Sequence, residues 1–194
     1  MDKKNETAAV RKPRADGERN RALLMETAKT VFADKGSQAS LEQIARTAGF
    51  GIGTLYRHFP TRDALVAAVY ANETGQLADA AERLAGGHAP VAALREWLML
   101  FIDFMSTKHG MAEVFDAVVG PASALYAEAG TRITAAVEML VRRAVESGDI
   151  ALEIAPSDIL RALAGIGSVS CEPNWETAAR QLVDIIIAGV STRR

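Results

Sequence analysis

The side chains best suited to recognition chemistry fall in one stretch, SLEQIARTAGFGIGTLYRHF from Ser40 to Phe59, with Arg62 just beyond it. Ser40, Thr54 and Tyr56 bring hydroxyls, Arg57 and Arg62 guanidiniums, and His58 an imidazole. These groups donate and accept hydrogen bonds and carry positive charge. That chemistry suits phosphate oxygens and the polar edges of bases.

The spacing predicts two short helices joined by a tight turn. Ser40 and Gln43 make a capping box at the start of the first. Leu41, Ile44, Ala45 and Ala48 repeat at helical spacing as one apolar face. Gly49 stands where that helix must stop, because glycine accepts the left-handed conformation at low cost. In the second helix Leu55 and Phe59 are four apart and face inward, leaving Gly53, Thr54, Arg57 and His58 largely outward. An exposed helix start with small, hydrogen-bonding residues is what a DNA major groove admits, so the pattern reads as a helix-turn-helix. Upstream, Arg21 to Lys35 carries Leu24, Ala28, Val31 and Phe32 on one stripe, a third helix closed by Gly36. Downstream, Thr61 caps a further helix whose dipole Asp63 complements.

Ala28, Phe32, Gly36, Ile44, Ala45, Ala48-Gly49, Gly53-Thr54-Leu55-Tyr56, His58-Phe59 and Leu65 stand in one register. On these residues the segment from about Asn20 to Val69 strongly resembles the DNA-binding domain of the TetR family of transcriptional regulators. The resemblance implies that Ser40, Tyr56, His58 and Arg62 address the phosphate backbone, with Ile52, Gly53, Thr54 and Arg57 nearest the base edges. Arg57 suits either a bidentate guanine contact or a phosphate clamp. Tyr56 has a core alternative, and His58 one of packing or capping the short helix. Two positions depart from the family's pattern. Gly51 stands where Ser or another cap is frequent, removing one phosphate contact. Ile52 stands where a polar residue is common, and either meets a thymine methyl or folds back on the core.

Charge is unevenly distributed. Residues 1–62 hold 12 Lys+Arg and 7 Asp+Glu, whereas 63–194 hold 10 and 17, so a basic head sits on an acidic body. That is the balance phosphate contact needs, since nucleic-acid affinity comes largely from counterion release. The segment 1–17, with Lys3, Lys4, Arg11, Lys12 and Arg14, reads as a disordered basic arm; basic arms also reach into minor grooves. It has no apolar core of a secretory signal. The runs Trp97 to Ile102 and Ile185 to Val190 are too short to span a bilayer, and the single Cys171 fits a reducing compartment. A cytoplasmic protein is expected.

Catalytic chemistry finds no inventory. His58, His88 and His109 are scattered, and there is no zinc-ligand spacing, P-loop, dinucleotide glycine motif or nucleophile elbow. Cys171 has no positioned base. No enzyme, metal or cofactor is expected. The remaining alternative is a helical small-molecule carrier or interaction protein with a vestigial DNA-binding head, which an intact Thr54, Tyr56 and Arg62 on a basic head disfavours.

The aliphatic- and Ala-rich composition predicts an all-α fold of about nine helices: a head over 18–62 and a ligand-binding and dimerisation domain over 63–194. Helix spans follow the punctuation: Thr61 to Ala85, Val91 to Lys108, Met111 to Val119, Ser123 to Glu146 with an interruption at Gly130, Pro156 to Ser170, and a last helix capped by Asn174. The final two carry Ile159, Leu160, Leu163 and Ile166, then Leu182, Val183, Ile185, Ile186, Ile187 and Val190. That is more apolar surface than one small domain hides, so they are either a dimer surface or ordinary core. The resemblance implies a homodimer through these helices, whose two-fold axis would present two reading helices to a palindromic operator on double-stranded DNA. It also implies a pocket in the body for a small apolar or amphipathic effector that shifts the helix from Thr61 onward. Trp97, Phe101, Met105, Met111, Phe115, Tyr126, Met139 and Trp175 suit such a lining, or plain core. Asp103, His109, Ser123, Ser168 and Cys171 are the polar candidates to orient a ligand.

Overall fold

Caps and turn glycines set the helix ends largely where the sequence punctuates them. The structure, a computed structural model, describes residues 12–120, 123–169 and 175–192. Among these, α1 spans Lys12–Lys35 and a single 3₁₀ turn Gly36–Gln38 leads into α2 (Leu41–Thr47), α3 (Ile52–His58) and α4 (Arg62–Gly87). The body adds α5 (Pro90–Gly110), α6 (Ala112–Val118), α7 (Ala124–Glu146), α8 (Pro156–Val169) and α9 (Trp175–Val190). Among the described residues the extended pairing is limited to one antiparallel bridge, Ile150 with Ser191. The fold is all-α, as composition and periodicity predict.

Two boundaries differ from the sequence reading. The stretch from Lys12 to Gly17, expected in the disordered arm, belongs to α1. Proline is tolerated in a first helical turn, where its missing N–H costs no bond, and nothing after Pro13 forces a break. The rest of the arm, with Lys3, Lys4 and Arg11, lies outside the described residues. Helix α7 runs unbroken through Gly130, capped by Ser123, whose hydroxyl accepts from the Tyr126 amide at 3.1 Å. Neighbouring helical turns carry an isolated glycine at a cost of about 1 kcal/mol. Asn174 and Cys171 also lie outside the described residues.

One hydrophobic core serves head and body. Leu24, Ala28 and Phe32 of α1 meet Ile44 and Ala45 of α2, Leu55 of α3 and Phe59, all buried. The same core continues through Leu65, Val66 and Val69 of α4 into the body, where α4 packs chiefly on α7 and α5. Each such aliphatic or aromatic side chain contributes roughly 1.5–3 kcal/mol by leaving water. Trp97 is wholly buried, and its indole N–H donates to the Leu77 carbonyl at 2.8 Å, joining α5 to α4. Polar clasps close the α5–α9 seam: Arg95 to Asp184 at 2.7 Å, Arg180 to Asp103, and the Ser106 hydroxyl to Glu176. The residues just after α9 are pinned to the α7–α8 loop, with the Thr192 amide donating to the Asp149 carbonyl at 2.9 Å. Head and body also meet through Lys29 and Glu73, 3.4 Å apart between α1 and α4.

Candidate nucleic-acid interface and body cavity

The turn between α2 and α3 is set by backbone hydrogen bonds. Gly49 has φ +79°, its amide donates to the Arg46 carbonyl, and the Phe50 amide reaches the Ala45 carbonyl at 2.8 Å. These are the paired bonds of a Schellman ending, which needs a left-handed residue at Gly49. Ser40 caps α2 by accepting from the Gln43 amide at 3.1 Å, realising the Ser40 half of the capping box. Gly51 caps α3 without a side-chain bond. The two short helices are thus held at a fixed angle, with Leu55 fully buried beneath α3.

The outward face of α3 carries most of the residues the sequence places there. Tyr56 is 46% exposed, so its core alternative is removed. Gly53 is open, with no atom within 4 Å of where a Cβ would stand. Arg57 is exposed but folds along its own helix: its Nε donates to the Gly53 carbonyl at 3.2 Å and its Nη2 to the Thr54 hydroxyl at 3.0 Å. Thr54 and Arg57 therefore form one polar unit. Ile52 is half-buried against the core, the second of its two readings. His58 is half-buried, its ring 6.3 Å from that of Phe59. Ser40 is exposed at the start of α2.

Arg62, expected at the phosphate backbone, has its guanidinium engaged inside the head. It donates to the carbonyls of Gly36 and Ser37, each at 3.3 Å, and of Ala39, and it lies 4.8 Å from the Phe32 ring centroid. These carbonyls end α1 and lead into α2, where the backbone acceptors lack helical partners. Arg62 therefore fixes the loop that places Ser40.

The body holds a cavity of about 260 Å³ between α4, α5, α7 and α8. Of the lining candidates, Phe101, Met105 and Tyr126 face this cavity, joined by Tyr70, Phe104 and Leu160. Trp97, Met111 and Phe115 do not; they are buried in the layer behind it. An aromatic run connects the layers: Trp97 stacks on Phe101 at 6.2 Å, and Phe115 meets Tyr70 edge-on at 5.3 Å. Trp175 packs instead on His109, 5.4 Å away at the start of α9, and Met139 faces a separate groove with Arg132. Of the polar candidates, Asp103 is paired with Arg180 and Ser123 caps α7, while the Ser168 side chain and Cys171 lie outside the described residues. Sequence reasoning missed Lys108, Thr134, Ser157 and Arg161 on the cavity wall. Lys108 did leave a signal, as a cation in the last turn of a helix rich in large apolar groups.

Burial pushes the Tyr70 phenol up to about 12, helped by the neighbouring Tyr126. Burial alone would lower the Lys29 ammonium, but Glu26 and Glu73 outweigh it and hold it above its usual value. No group of three or more His, Cys, Asp or Glu among the described residues could hold a metal ion. No helix of the described residues is long and apolar enough to cross a membrane.

Residues 24–69 match the family model described as bacterial regulatory proteins, tetR family. Residues 89–192 match that of the transcriptional regulator SbtR-like C-terminal domain. No curated protein matches the chain by sequence. Among solved structures, a TetR transcriptional regulator of Streptomyces coelicolor is similar at 38% identity and a TM-score of 0.80, over 90% of this chain and 99% of that one. A TetR transcription regulatory protein of Mycobacterium vanbaalenii is similar at 30% identity and a TM-score of 0.74, over 92% and 99%. PfmR of Thermus thermophilus, at 21% identity and a TM-score of 0.62 over 85% and 97%, shares the fold. The chain belongs to the TetR family of DNA-binding transcriptional regulators.

Proposed function

We propose that the protein is a cytoplasmic homodimeric repressor that reads a palindromic operator and lets go when an effector occupies the body cavity. The observation that carries this reading is the outward face of α3. A large aromatic, Tyr56, stands in solvent beside the Thr54–Arg57 unit and the open backbone of Gly53, while Leu55 fixes the opposite face. In the complex, Tyr56, His58 and Ser40 address phosphates, and Gly53, Thr54 and Arg57 approach base edges, with the Ile52 methyls at the margin. Arg62 acts as a positioning residue for Ser40.

Dimerisation is supported by α8 and α9. Ile185 is 65% exposed, and Leu182, Ile186, Ile187 and Ile166 are only half-buried, a continuous apolar strip of the kind that marks an interface. A two-fold pair would set two α3 helices roughly 34–36 Å apart, or further by whole turns, matching palindromic half-sites. Release requires an effector that binds the state unfit for DNA more tightly than the state that fits it.

Fluorescence anisotropy of the purified protein on the DNA upstream of its own gene, against scrambled DNA at two salt concentrations, tests the reading. Tight, selective binding that weakens steeply with salt is expected. Absence of any salt-dependent DNA affinity would overturn it in favour of a small-molecule carrier.

A further inference from the structure

The body cavity has a lopsided chemistry. Phe101, Phe104, Ile133 and Leu160 make it mostly apolar, yet among the described residues the charged side chains on its wall are cations, Lys108 and Arg161, with no Asp or Glu. Arg161 is paired with Asp158 on the solvent side. Lys108 has no carboxylate partner among the described residues, and its Nζ stands 4.9 Å from the centroid of the Tyr126 ring. Tyr70 adds a second observation. The residue is only 3% exposed and lines the cavity, and its hydroxyl makes no hydrogen bond among the described residues. Thr134 and Ser157 bring further hydroxyls to the same wall.

A cation without a counter-charge and a phenol donor without an acceptor, on one apolar cavity, are complementary to a single kind of ligand. We propose that the cavity binds a compact carboxylic acid, its apolar body against Phe101, Phe104 and Leu160 and its carboxylate met by Lys108 and the Tyr70 hydroxyl. Tyr126 lies on the same wall, with Lys108 standing on its ring. Tyr70 keeps its proton throughout the neutral range and so remains a donor. The volume, about 260 Å³, lies just below the range of about 300–1,000 Å³ for drug-sized ligands and suits small aromatic or short-chain acids. The inference deepens the effector reading of this cavity and rests on it for regulation, though binding itself does not.

Isothermal titration calorimetry on the DNA-free protein, with phenylacetate and hexanoate each set against its neutral amide, tests the site. The acid is expected to bind about tenfold to a hundredfold tighter than the amide, as a charge-assisted hydrogen bond warrants. Lys108→Gln should abolish that preference while leaving the melting temperature unchanged, and Tyr70→Phe should reduce it. Equal affinity for acid and amide, no binding of either acid, or an undiminished preference in Lys108→Gln would each overturn the proposal. Adding operator DNA separates the two readings. An acid that binds with this preference but leaves DNA bound supports the carboxylate site and defeats the effector reading alone.

Discussion

Arg62 stacks on Phe32, its guanidinium carbon 4.8 Å from the ring centroid, while its N–H groups reach the carbonyls of Gly36, Ser37 and Ala39. One side chain thereby ties the first turn of α4 to the connection between α1 and α2. Arg62→Ala should destabilise the protein by about 1–3 kcal/mol, because the half-buried carbonyls lose their donor and Phe32 its cover. Urea unfolding checks this. Arg62→Lys should recover only part of the loss, since an ammonium lacks the planar fork.

Tyr56 should behave in the opposite way. Its ring is exposed and supports nothing in the core, so Tyr56→Ala is expected within about 0.5 kcal/mol of the wild-type stability. Operator affinity should nevertheless fall about tenfold in an anisotropy titration, and Tyr56→Phe should lose most of the same affinity if the hydroxyl meets a phosphate. A wild-type dissociation constant in both variants would remove Tyr56 from the interface.

Arg57 shares a hydrogen bond with the Thr54 hydroxyl, which holds the guanidinium against α3. Arg57→Ala should therefore weaken binding to the operator more than to scrambled DNA, narrowing the gap between them by about 1–3 kcal/mol. An equal loss on both DNAs would identify Arg57 as a phosphate clamp instead.

Ile185, at 65% exposure, is the most accessible of the large apolar residues of α9. Placing a charge there, as Ile185→Glu, would force an unpaired carboxylate into any interface built on this strip. Sedimentation equilibrium should show a folded monomer with the circular dichroism of the wild type. An intact dimer would move the interface elsewhere.

Tyr70 makes a prediction in alkali. Its folded pKa, about 12 against an ordinary 10, is raised, so its contribution to stability is complete below pH 10 and drains away as pH climbs toward 12. Urea midpoints at pH 8, 10 and 11 should fall less steeply in Tyr70→Phe than in the wild type. At pH 8 the two should differ little, because the hydroxyl that is removed makes no bond to the described protein.

The head was legible because its determinants are local. Ser40, Gly49 and Thr61 each act within a few residues of themselves, and the structure shows all three as caps or turn residues. The start of α1 was not legible, since the run before Arg19 has charge but no apolar period to announce a helix. The intramolecular role of Arg62 was not legible, for a chemical reason. A guanidinium suits a phosphate and a backbone carbonyl equally, and its carbonyls come from a loop more than twenty residues upstream. In the body, Phe101 and Trp97 sit one turn apart on α5, so periodicity alone assigns both to one face. Which of them meets the cavity depends on how α4, α7 and α8 pack around that face, and only the fold contains that.

The unbroken run of α4 has a mechanical consequence. At about 1.5 Å per residue, its 26 residues form a rod about 39 Å long that begins at the Arg62 clasp. Tyr70, on the cavity wall, lies about 12 Å along it. A tilt of about 5° pivoting at the far end would carry the Arg62 end about 3 Å, and in a two-fold pair the displacement counts twice. On the proposed two-fold pair, set against half-sites roughly 34–36 Å apart, the rod would act as a gauge of their spacing.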